Sequence, residues 1–377
     1  MTGHDANGHE TEHGDGRGGR DNHGDGRADG SPPGESRRGR RSGALRAVGL
    51  SLAGTLVLGV AAAGWVYWRL DDNIRGVDVD SALGDNRPAR AVTTPSPSGT
   101  ASAVPLPTEA VNILVLGSDS RGGDENRELG GGDSSGARSD TAMVVHVDAG
   151  RTSATVVSIP RDTLVTRPSC PLPSGGSTEV SHGAMFNSAY ALGGPVCAVK
   201  TVESLTDVRM DHFVEVDFAG FAKLVDALGG VTVTTAEDIE DEDSHLSLAA
   251  GTHHLDGTRA LALARTRHGI GDGSDLGRIG LQQTLVKALL EQIASTALLK
   301  SPTRLYRVAD AVTAGLTTDT GLDSLAELTE LGRSLEGLSA ANLTTVTLPV
   351  LPAPSDPNRV IPDEPRASDL WASLRQG

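Results

Sequence analysis

Residues 111–121 read VNILVLGSDSR, an apolar run that ends in small, polar and charged side chains. The apolar part, residues 111–116, is short enough for a buried strand. Segments of strand character alternate along the chain with segments of helical spacing, which predicts an α/β fold of stacked layers. The predicted strands cover residues 111–116, 141–147, 154–159, 212–216, 231–235 and 342–348. The predicted helices cover residues 187–192, 196–205, 218–228, 259–265 and 276–296.

Charged side chains gather where the first three predicted strands begin or end. Asp119 follows the first strand, Arg138 and Asp140 precede the second, and Arg161 and Asp162 follow the third. In open α/β sheets, ligands bind in the crevice at the ends of the strands. Arginines and aspartates placed there need either each other or a charged ligand, so this edge of the sheet is a candidate functional site.

Two further groups of polar residues lie closer to the C-terminus. Arg265 and Arg267 are two positions apart, which would place them on one side of an extended segment. Asp275, Arg278 and Gln282 are spaced at i, i+3 and i+7, which places them on one stripe of a helix. Both groups therefore present several polar side chains in one direction.

The combination of arginines with two carboxylates favours a site for pyrophosphate and Mg²⁺. The planar guanidinium of arginine forms paired hydrogen bonds with phosphate oxygens. Asp119 and Asp140 supply the oxygen ligands that Mg²⁺ takes, often together with substrate phosphates. The alternative is a network of structural ion pairs, which also collects at such places.

The N-terminal part contains an apolar stretch, residues 47–68, AVGLSLAGTLVLGVAAAGWVYW. As a helix it would be about 33 Å long, enough to cross the hydrocarbon core of a membrane. Arginines precede it at positions 37, 38, 40, 41 and 46, whereas Asp71 and Asp72 follow it. The positive-inside bias predicts a single-pass protein of the cell membrane, with residues 1–46 as a disordered cytoplasmic tail and the remainder outside. The alternative is a cleaved signal peptide, although the apolar run is long and no clean cleavage site follows it.

Composition predicts the remaining domain boundaries, and the net charge argues against one class of binding partner. Residues 69–107 are typical of a stalk, residues 108–350 hold the predicted globular domain, and residues 351–377 form a Pro-rich tail. The chain carries 49 acidic and 33 basic side chains, a net charge of −16. Such an excess of negative charge argues against binding to nucleic acid.

The chain has two cysteines, Cys170 and Cys197, and both follow the apolar stretch. Outside the cytoplasm an even pair favours a disulfide, since both lie in turn-rich stretches, PSCPLP and GGPVCA. Closing this loop would stabilise the fold by about 3–4 kcal/mol on the chain-entropy model. Two separate buried thiols are the alternative.

Between residues 111 and 290 the chain resembles the LytR–CpsA–Psr family. The motifs that carry the resemblance are, in order, NILVLGSDSR, RSDTAMVVHVD, VVSIPRDTLV, FNSAYALGG, DFAGFAKLVDALGGV and LDGTRALALARTRHGIGDGSDLGRIGLQQTLVKAL. Any one of them is weak, but their number and order are specific. The resemblance implies a layered α-β-α domain with a central mixed β-sheet, preceded by one transmembrane helix.

The resemblance also implies an activity. It implies Mg²⁺-dependent transfer of a phospho-glycopolymer, such as teichoic acid or capsular polysaccharide, from a polyprenyl-pyrophosphate carrier to a sugar hydroxyl of peptidoglycan. Lipid monophosphate would leave, and the polyprenyl tail would lie in an apolar tunnel between sheet and helices. Such chemistry depends mainly on positioning and charge neutralisation.

Carried onto this chain, the resemblance makes Asp119 and Asp140 the Mg²⁺ ligands. The pyrophosphate contacts that it implies are Arg138, Arg161, Arg265, Arg267, Arg278 and Gln282. The catalytic residues that it implies are Asp275, Arg267, Arg265 and Arg161. Among them Asp275 would either orient an arginine or accept the proton of the acceptor.

Two departures from the family pattern and two alternative functions stay open. Met185 stands where many relatives have a basic residue, so one phosphate contact would be missing or supplied elsewhere. The long loop of residues 122–137 is either a flap beside the metal site or an inert insertion. The alternative functions are a polyprenyl-pyrophosphate pyrophosphatase, with water as acceptor, and a membrane-bound regulator of envelope genes without enzymatic activity.

Overall fold

The computed structural model describes residues 38–90, 109–118, 139–267, 275–295 and 301–376, with side chains from residue 55 to residue 375. The chain divides into two compact units, Met1–Val60 and Ala61–Gly377. Helix α1 (Arg38–Asp71) begins inside the predicted disordered tail, so residues 38–46 are helical instead. Among the residues described with side chains, no helix is long and apolar enough to cross a membrane. The membrane crossing at residues 47–68 therefore stays a prediction.

A seven-stranded mixed sheet forms the centre of the second unit. Numbered in chain order, its strands are β1 (Arg75–Val77), β2 (Val111–Ser118), β3 (Ser139–Val147), β4 (Ala154–Ser158), β7 (His212–Asp217), β12 (Leu316–Asp319) and β13 (Leu343–Thr347). Their spatial order is β1-β12-β7-β2-β3-β4-β13, with parallel and antiparallel neighbours. Five of the predicted strands lie in this sheet, and the mixed α/β fold with a central mixed sheet is confirmed.

Four antiparallel strand pairs and a set of helices surround the sheet. The pairs are β5 (Leu164–Arg167) with β6 (Ser181–Met185), β8 (Val231–Thr235) with β11 (Gly251–Leu255), β9 (Ile239–Asp241) with β10 (Leu246–Leu248), and β14 (Val350–Ala353) with β15 (Asp356–Pro362). The helices are α2 (Val79–Leu83), α3 (Asn187–Thr206), α4 (Phe218–Ala227), α5 (Gly257–Arg265), α6 (Asp275–Ser295), α7 (Pro302–Gly315), α8 (Leu325–Ser334) and α9 (Arg366–Gln376).

Helices lie on both faces of the sheet. Leu114 and Leu116 of β2 point to one face, where they join the core that α3 and α9 build. On the other face, Gln283 of α6 donates from Nε2 to Ser158 Oγ of β4 and to Thr347 Oγ1 of β13, both at 3.2 Å. A second apolar core joins α4, α5 and α6 to the four strands β8 to β11. The predicted strand 231–235 belongs to this second core, not to the central sheet.

The ends of the domain differ from the predicted boundaries. Within the predicted stalk, Leu70 is 5% exposed, and β1 and α2 lie there, with Val79 and Leu83 of α2 in the main core. Residues 91–107 of the stalk lie outside the described residues. The predicted Pro-rich tail forms the β14–β15 hairpin and α9, which buries Trp371 in the same core. Both boundaries were predicted from the overall composition of the segments. A few apolar side chains at the right spacing are enough to attach a segment to a core.

Arg87 ties the N-terminal part of the domain to α3. Its Nε donates to Glu203 Oε1 and Oε2 at 3.1 and 3.0 Å, and its Nη2 donates to the Met210 carbonyl at 2.8 Å. The side chains of Arg87 and Glu203 are 3% and 4% exposed. A buried carboxylate that loses its only cationic partner is left with a large desolvation penalty.

We expect Arg87→Ala to lower the free energy of unfolding by about 3–5 kcal/mol, because Glu203 would stay buried without its cation. Urea unfolding of the full chain measures the effect. The control is Arg90→Ala, because Arg90 is 56% exposed and lies 3.6 Å from Asp211. The double variant Arg87→Met/Glu203→Met should recover most of the loss, and an equal loss in Arg90→Ala would contradict this role.

Cys170 and Cys197 form a disulfide, as predicted. It joins the connection between β5 and β6 to α3, just after Gly193 and Gly194 interrupt the helix. A Cβ added at Gly193 would lie 2.6 Å from the Cys197 Cβ, so only glycine fits against the bridge. The interruption explains why the sequence predicts two helices, residues 187–192 and 196–205, where the structure has one kinked helix.

We expect the double variant Cys170→Ser/Cys197→Ser to be less stable by about 3–4 kcal/mol, because its unfolded chain is no longer restricted by the closed loop. Urea unfolding compares it with the oxidised wild type. Reduced wild type should match the variant. A reduced protein as stable as the oxidised one would show that the bridge contributes nothing.

Candidate functional site

A cleft opens at one edge of the central sheet. Ser118 at the end of β2 pairs with Ser139 at the start of β3 and with Asp217 at the end of β7, while β4 ends at the same edge. The cleft has a volume of about 490 Å³. Residues that line it are Asp140, Thr141, Arg161, Asp162, Met185, Asn187, Phe218, Asp241, Asp243, Ser244, Ala264, Arg265, Arg267, Arg278, Gln282 and Arg359. The predicted crevice at the strand ends is thus present.

Asp140 lies between two arginines from different parts of the chain. Arg161 Nη1 donates to Asp140 Oδ1 at 2.8 Å, and Arg267 Nη2 donates to Asp140 Oδ2 at 3.5 Å. Burial would raise the pKa of Asp140, but Arg161, Arg278 and Arg267 outweigh burial and lower it. Asp140 is therefore ionised at neutral pH and offers a carboxylate to the cleft.

Helix α6 presents Asp275, Arg278 and Gln282 on one stripe, as their spacing predicts. Arg278 is 2% exposed; it pairs with Asp275 and donates from Nη2 to the Asp140 carbonyl at 3.0 Å. Gln282 Nε2 donates to Thr141 Oγ1 at 2.9 Å. These contacts hold α6 against the start of β3.

Asp275 is more buried than Asp140, with side chains that are 14% and 24% exposed. Its Oδ2 accepts a hydrogen bond from the Arg161 main-chain N–H at 3.3 Å, and its Oδ1 lies 3.6 Å from Arg161 Nε. Burial raises the pKa of Asp275, against the opposing effect of Arg278 and Arg161, and the nearby Asp162 raises it further. Asp275 thus retains a proton to higher pH than an exposed aspartate.

Arg265 and Arg267 both line the cleft, but the extended segment assumed for them is wrong. Arg265 is the last residue of α5, and its guanidinium lies 5.1 Å from the centre of the Phe218 ring. Arg267 follows the helix end at Thr266, and its main-chain N–H donates to Asp241 Oδ2 at 2.7 Å. Helix termination, rather than strand alternation, therefore sets their directions.

Two residues absent from the sequence-based site contribute to the cleft. Asp241 is 1% exposed and holds the turn at Arg267 in place. Arg359 comes from β15 and pairs with Asp162, Nη1 to Oδ1, at 3.3 Å. Neither had a sequence signal, because Asp241 lies in a short hairpin without a motif and Arg359 lies in the predicted tail.

One predicted metal ligand, one predicted pyrophosphate contact and the long loop between them fall outside the described residues. These positions are Asp119, Arg138 and the loop of residues 122–137. Within the described part of the chain, no cluster of three or more His, Cys, Asp or Glu side chains could hold a metal ion. Asp140 nevertheless fits Mg²⁺, which takes one or two carboxylates together with water and substrate phosphates.

Comparisons with known proteins agree on one family. The sequence profile of the LytR_cpsA_psr family matches residues 66–376. The probable cell wall biosynthesis protein LcpB of Corynebacterium glutamicum is 36% identical over 276 residues, which are 71% of this chain and 62% of that protein. The polyisoprenyl-teichoic acid–peptidoglycan teichoic acid transferase TagU of Bacillus cereus is 36% identical over 188 residues, 50% of this chain and 54% of that protein. The chain thus spans between about half and three fifths of these relatives.

Solved structures show the same fold. A LytR-Csp2A-Psr enzyme from Actinomyces oris aligns over 80% of this chain and 96% of its own, with 25% identity and a TM-score of 0.56. TagV of B. subtilis aligns over 71% of this chain and 96% of its own, with 26% identity and a TM-score of 0.54. The profile match covers nearly the whole second unit, from α1 to α9. The chain therefore belongs to the LytR–CpsA–Psr family.

Proposed function

We propose that this protein transfers a phospho-glycopolymer from a polyprenyl-pyrophosphate carrier to a sugar hydroxyl of peptidoglycan. The observation that carries the proposal is the convergence of five arginine side chains on one cleft. Of the two arginines that contact Asp140, Arg267 is the more accessible. Its side chain is 41% exposed, and its contact to Asp140 is as long as 3.5 Å. It can therefore turn to a ligand while Arg161 keeps Asp140 in place. Guanidinium groups arranged in this way suit the oxygens of a pyrophosphate.

The relatives support a wall glycopolymer as the group transferred. TagU of Bacillus cereus is named for moving teichoic acid from a polyisoprenyl carrier to peptidoglycan, and LcpB for cell wall biosynthesis. The class of substrate, a lipid-linked anionic or neutral glycan with a pyrophosphate bridge, is therefore our proposal for this chain as well.

The arginines of the cleft and the neighbouring Asp275 have different roles in the reaction. The acceptor hydroxyl attacks the phosphorus next to the glycan, the bond from that phosphorus to the bridging oxygen breaks, and lipid monophosphate leaves. Asp275 accepts the proton of the hydroxyl, and Arg161, Arg265, Arg267 and Arg278 neutralise the phosphate charge. The products are a phosphodiester between wall and glycan, lipid monophosphate and one proton.

We propose Mg²⁺ as the cofactor, with Asp140 and Asp119 as its ligands. When bound, the ion supplies positive charge to the phosphate oxygens. The Asp140 carboxylate is held for this role by Arg161, whose hydrogen bond fixes Oδ1 and leaves Oδ2 with the longer contact to Arg267. Arg267 can release Oδ2, because its own side chain is half exposed.

Membrane attachment through residues 47–68 fits the same reaction. Large apolar side chains of α1 are exposed over its described part, among them Leu56, Leu58, Trp65 and Trp68, at 58–72%. Exposed apolar surface of this kind favours a lipid environment. A donor with a polyprenyl tail is confined to the membrane, so an enzyme tethered to the outer face meets it directly.

The test uses the full chain in detergent with Mg²⁺, a polyprenyl-pyrophosphate-linked glycan and peptidoglycan. We expect wall-linked glycan to form, and lipid monophosphate to appear in equal amount, only when peptidoglycan is present. Release of lipid monophosphate at the same rate without peptidoglycan would assign a pyrophosphatase instead. No turnover of the lipid-linked glycan under either condition would contradict an enzymatic role and leave the regulator.

A further inference from the structure

A second cavity, of about 420 Å³, lies beside the arginine cleft. The tip of the β14–β15 hairpin forms one wall, and the segment after β4 together with the start of α6 forms the other. Residues that line it include Pro160, Asp275, Leu276, Pro357, Asn358 and Arg359. None of the hairpin residues belongs to the motifs that identify the family in the sequence.

The two cavities meet at a shared wall. Arg161, Asp162, Arg267 and Arg359 line both of them. On the cleft side the wall faces Asp140, whereas on the far side it faces Asp275. A pyrophosphate held by the arginines in the cleft would therefore lie next to the second cavity, from which a hydroxyl could reach it.

Asp275 gives the second cavity a group that can accept a proton. Its Oδ1 is buried and forms an ion pair with Arg278 Nη2, with Arg161 Nε 3.6 Å away, and the carboxylate lines the cavity. Burial raises the pKa of Asp275, which brings its proton affinity closer to that of a useful general base. A hydroxyl that enters this cavity could donate to the Asp275 carboxylate.

The rest of the cavity suits a sugar ring. Leu276 is 44% exposed, and together with Pro160 and Pro357 it offers an apolar surface for a ring face. The exposed Asn358 offers an amide that can both donate and accept hydrogen bonds to hydroxyl groups. An apolar patch with a few polar groups is typical of a small-molecule or sugar site.

The hairpin tip is held in place by charge. Arg359 Nη1 lies 3.3 Å from Asp162 Oδ1, and Arg359 Nε lies 3.8 Å from Asp356 Oδ2. The main-chain N–H of Asn358 donates to Asp356 Oδ1 at 2.9 Å. These contacts fix the Asn358 backbone opposite Leu276, so the cavity has two defined walls.

We propose that this second cavity binds the acceptor sugar of peptidoglycan, with Asn358 and Leu276 as contacts that select it. The inference rests on the proposed transfer function and adds where the acceptor enters. The hairpin would then act as a specificity element for the acceptor, whereas the arginine cleft recognises the donor.

Steady-state kinetics of the full chain, with donor and acceptor varied separately, tests this assignment. We expect Asn358→Ala and Leu276→Ala each to raise KM for a soluble glycan-strand acceptor by about tenfold, the effect of one lost contact, with KM for the lipid-linked donor unchanged. The matched controls are Asn342→Ala and Leu351→Ala, which replace exposed residues outside both cavities. A rise in donor KM, or no rise in either constant, would overturn the assignment.

A binding experiment separates this inference from the proposed function. Saturation-transfer NMR measures contact between the full chain and a peptidoglycan tetrasaccharide, without donor or turnover. Contact that is lost in Asn358→Ala and kept in Asn342→Ala supports the acceptor site even if the wild type forms no wall-linked product, a failure that would count against the transfer reaction alone. Equal contact in both variants, or none in the wild type, overturns the acceptor site.

Discussion

Arg161→Ala is expected to lower kcat for glycan transfer by about 10³–10⁵-fold, the range over which an arginine that neutralises a transferring phosphoryl group accelerates its reaction. Arg161 bonds Asp140 at 2.8 Å and lines both the cleft and the second cavity. Its removal therefore takes away charge and also frees the carboxylate proposed to bind Mg²⁺. Turnover of lipid-linked glycan under saturating donor measures the loss.

Two further variants show whether the loss comes from the guanidinium group of Arg161. Arg161→Lys should recover only part of the activity, because a lysine keeps the charge but lacks the planar fork. Arg304→Ala, at an exposed position on α7 outside both cavities, should leave the rate unchanged. A loss below threefold in Arg161→Ala, with the protein folded as judged by its thermal midpoint, would remove Arg161 from the reaction.

Asp275→Asn is expected to lower kcat by about 10²–10⁴-fold, the contribution of a positioned general base. The pH profile carries a second readout. Burial raises the pKa of Asp275, and only the deprotonated carboxylate can accept a proton, so the wild-type rate should fall as pH is lowered through that raised pKa. The asparagine does not titrate, so its residual rate should lack this acid limb.

The control for this change is Asp369→Asn, at an exposed position on α9. It should keep both the rate and the acid limb. If Asp275→Asn retains an unchanged acid limb at a reduced rate, Asp275 orients Arg278 and Arg161 and does not take the proton. If the rate itself is unchanged, Asp275 has neither role.

The elements that the sequence predicts well are those whose pattern is local. The run at residues 111–116 is apolar except for Asn112, because β2 lies in the middle of the sheet and is buried on both faces. Asp275, Arg278 and Gln282 are predictable as a group because a helix repeats every 3.6 residues, so their spacing alone puts them on one stripe. The strand-end position of Asp140 and Arg161 follows in the same way from where the apolar runs stop.

Features that depend on contacts between distant parts of the chain could not be predicted from the sequence. In the central sheet β12 lies between β1 and β7, although these three strands are far apart in the chain. No local sequence pattern encodes such a pairing. Arg359 reaches the site only because α9 and the β14–β15 hairpin pack back onto the domain through Trp371. The role of Arg359 depends on that packing. Because the predicted domain ended at residue 350, Arg359 was not considered as a site residue.

The same limit applies to the turn that carries Arg267. Its direction is set by the end of α5 and by the buried Asp241, which accepts the Arg267 main-chain N–H from a separate hairpin. The sequence predicts that Arg265 and Arg267 act together, and both do line the cleft. It could not predict that a helix end, with Arg265 against Phe218, would place them there.

Phosphorus NMR of the products formed by the full chain from lipid-linked glycan and peptidoglycan tests the central claim most directly. The account predicts one phosphodiester between wall sugar and glycan for each lipid monophosphate released, with no inorganic phosphate, and neither product with Arg161→Ala. Glycan joined to the wall without phosphorus, together with intact lipid pyrophosphate, would show that a different bond breaks and would contradict it.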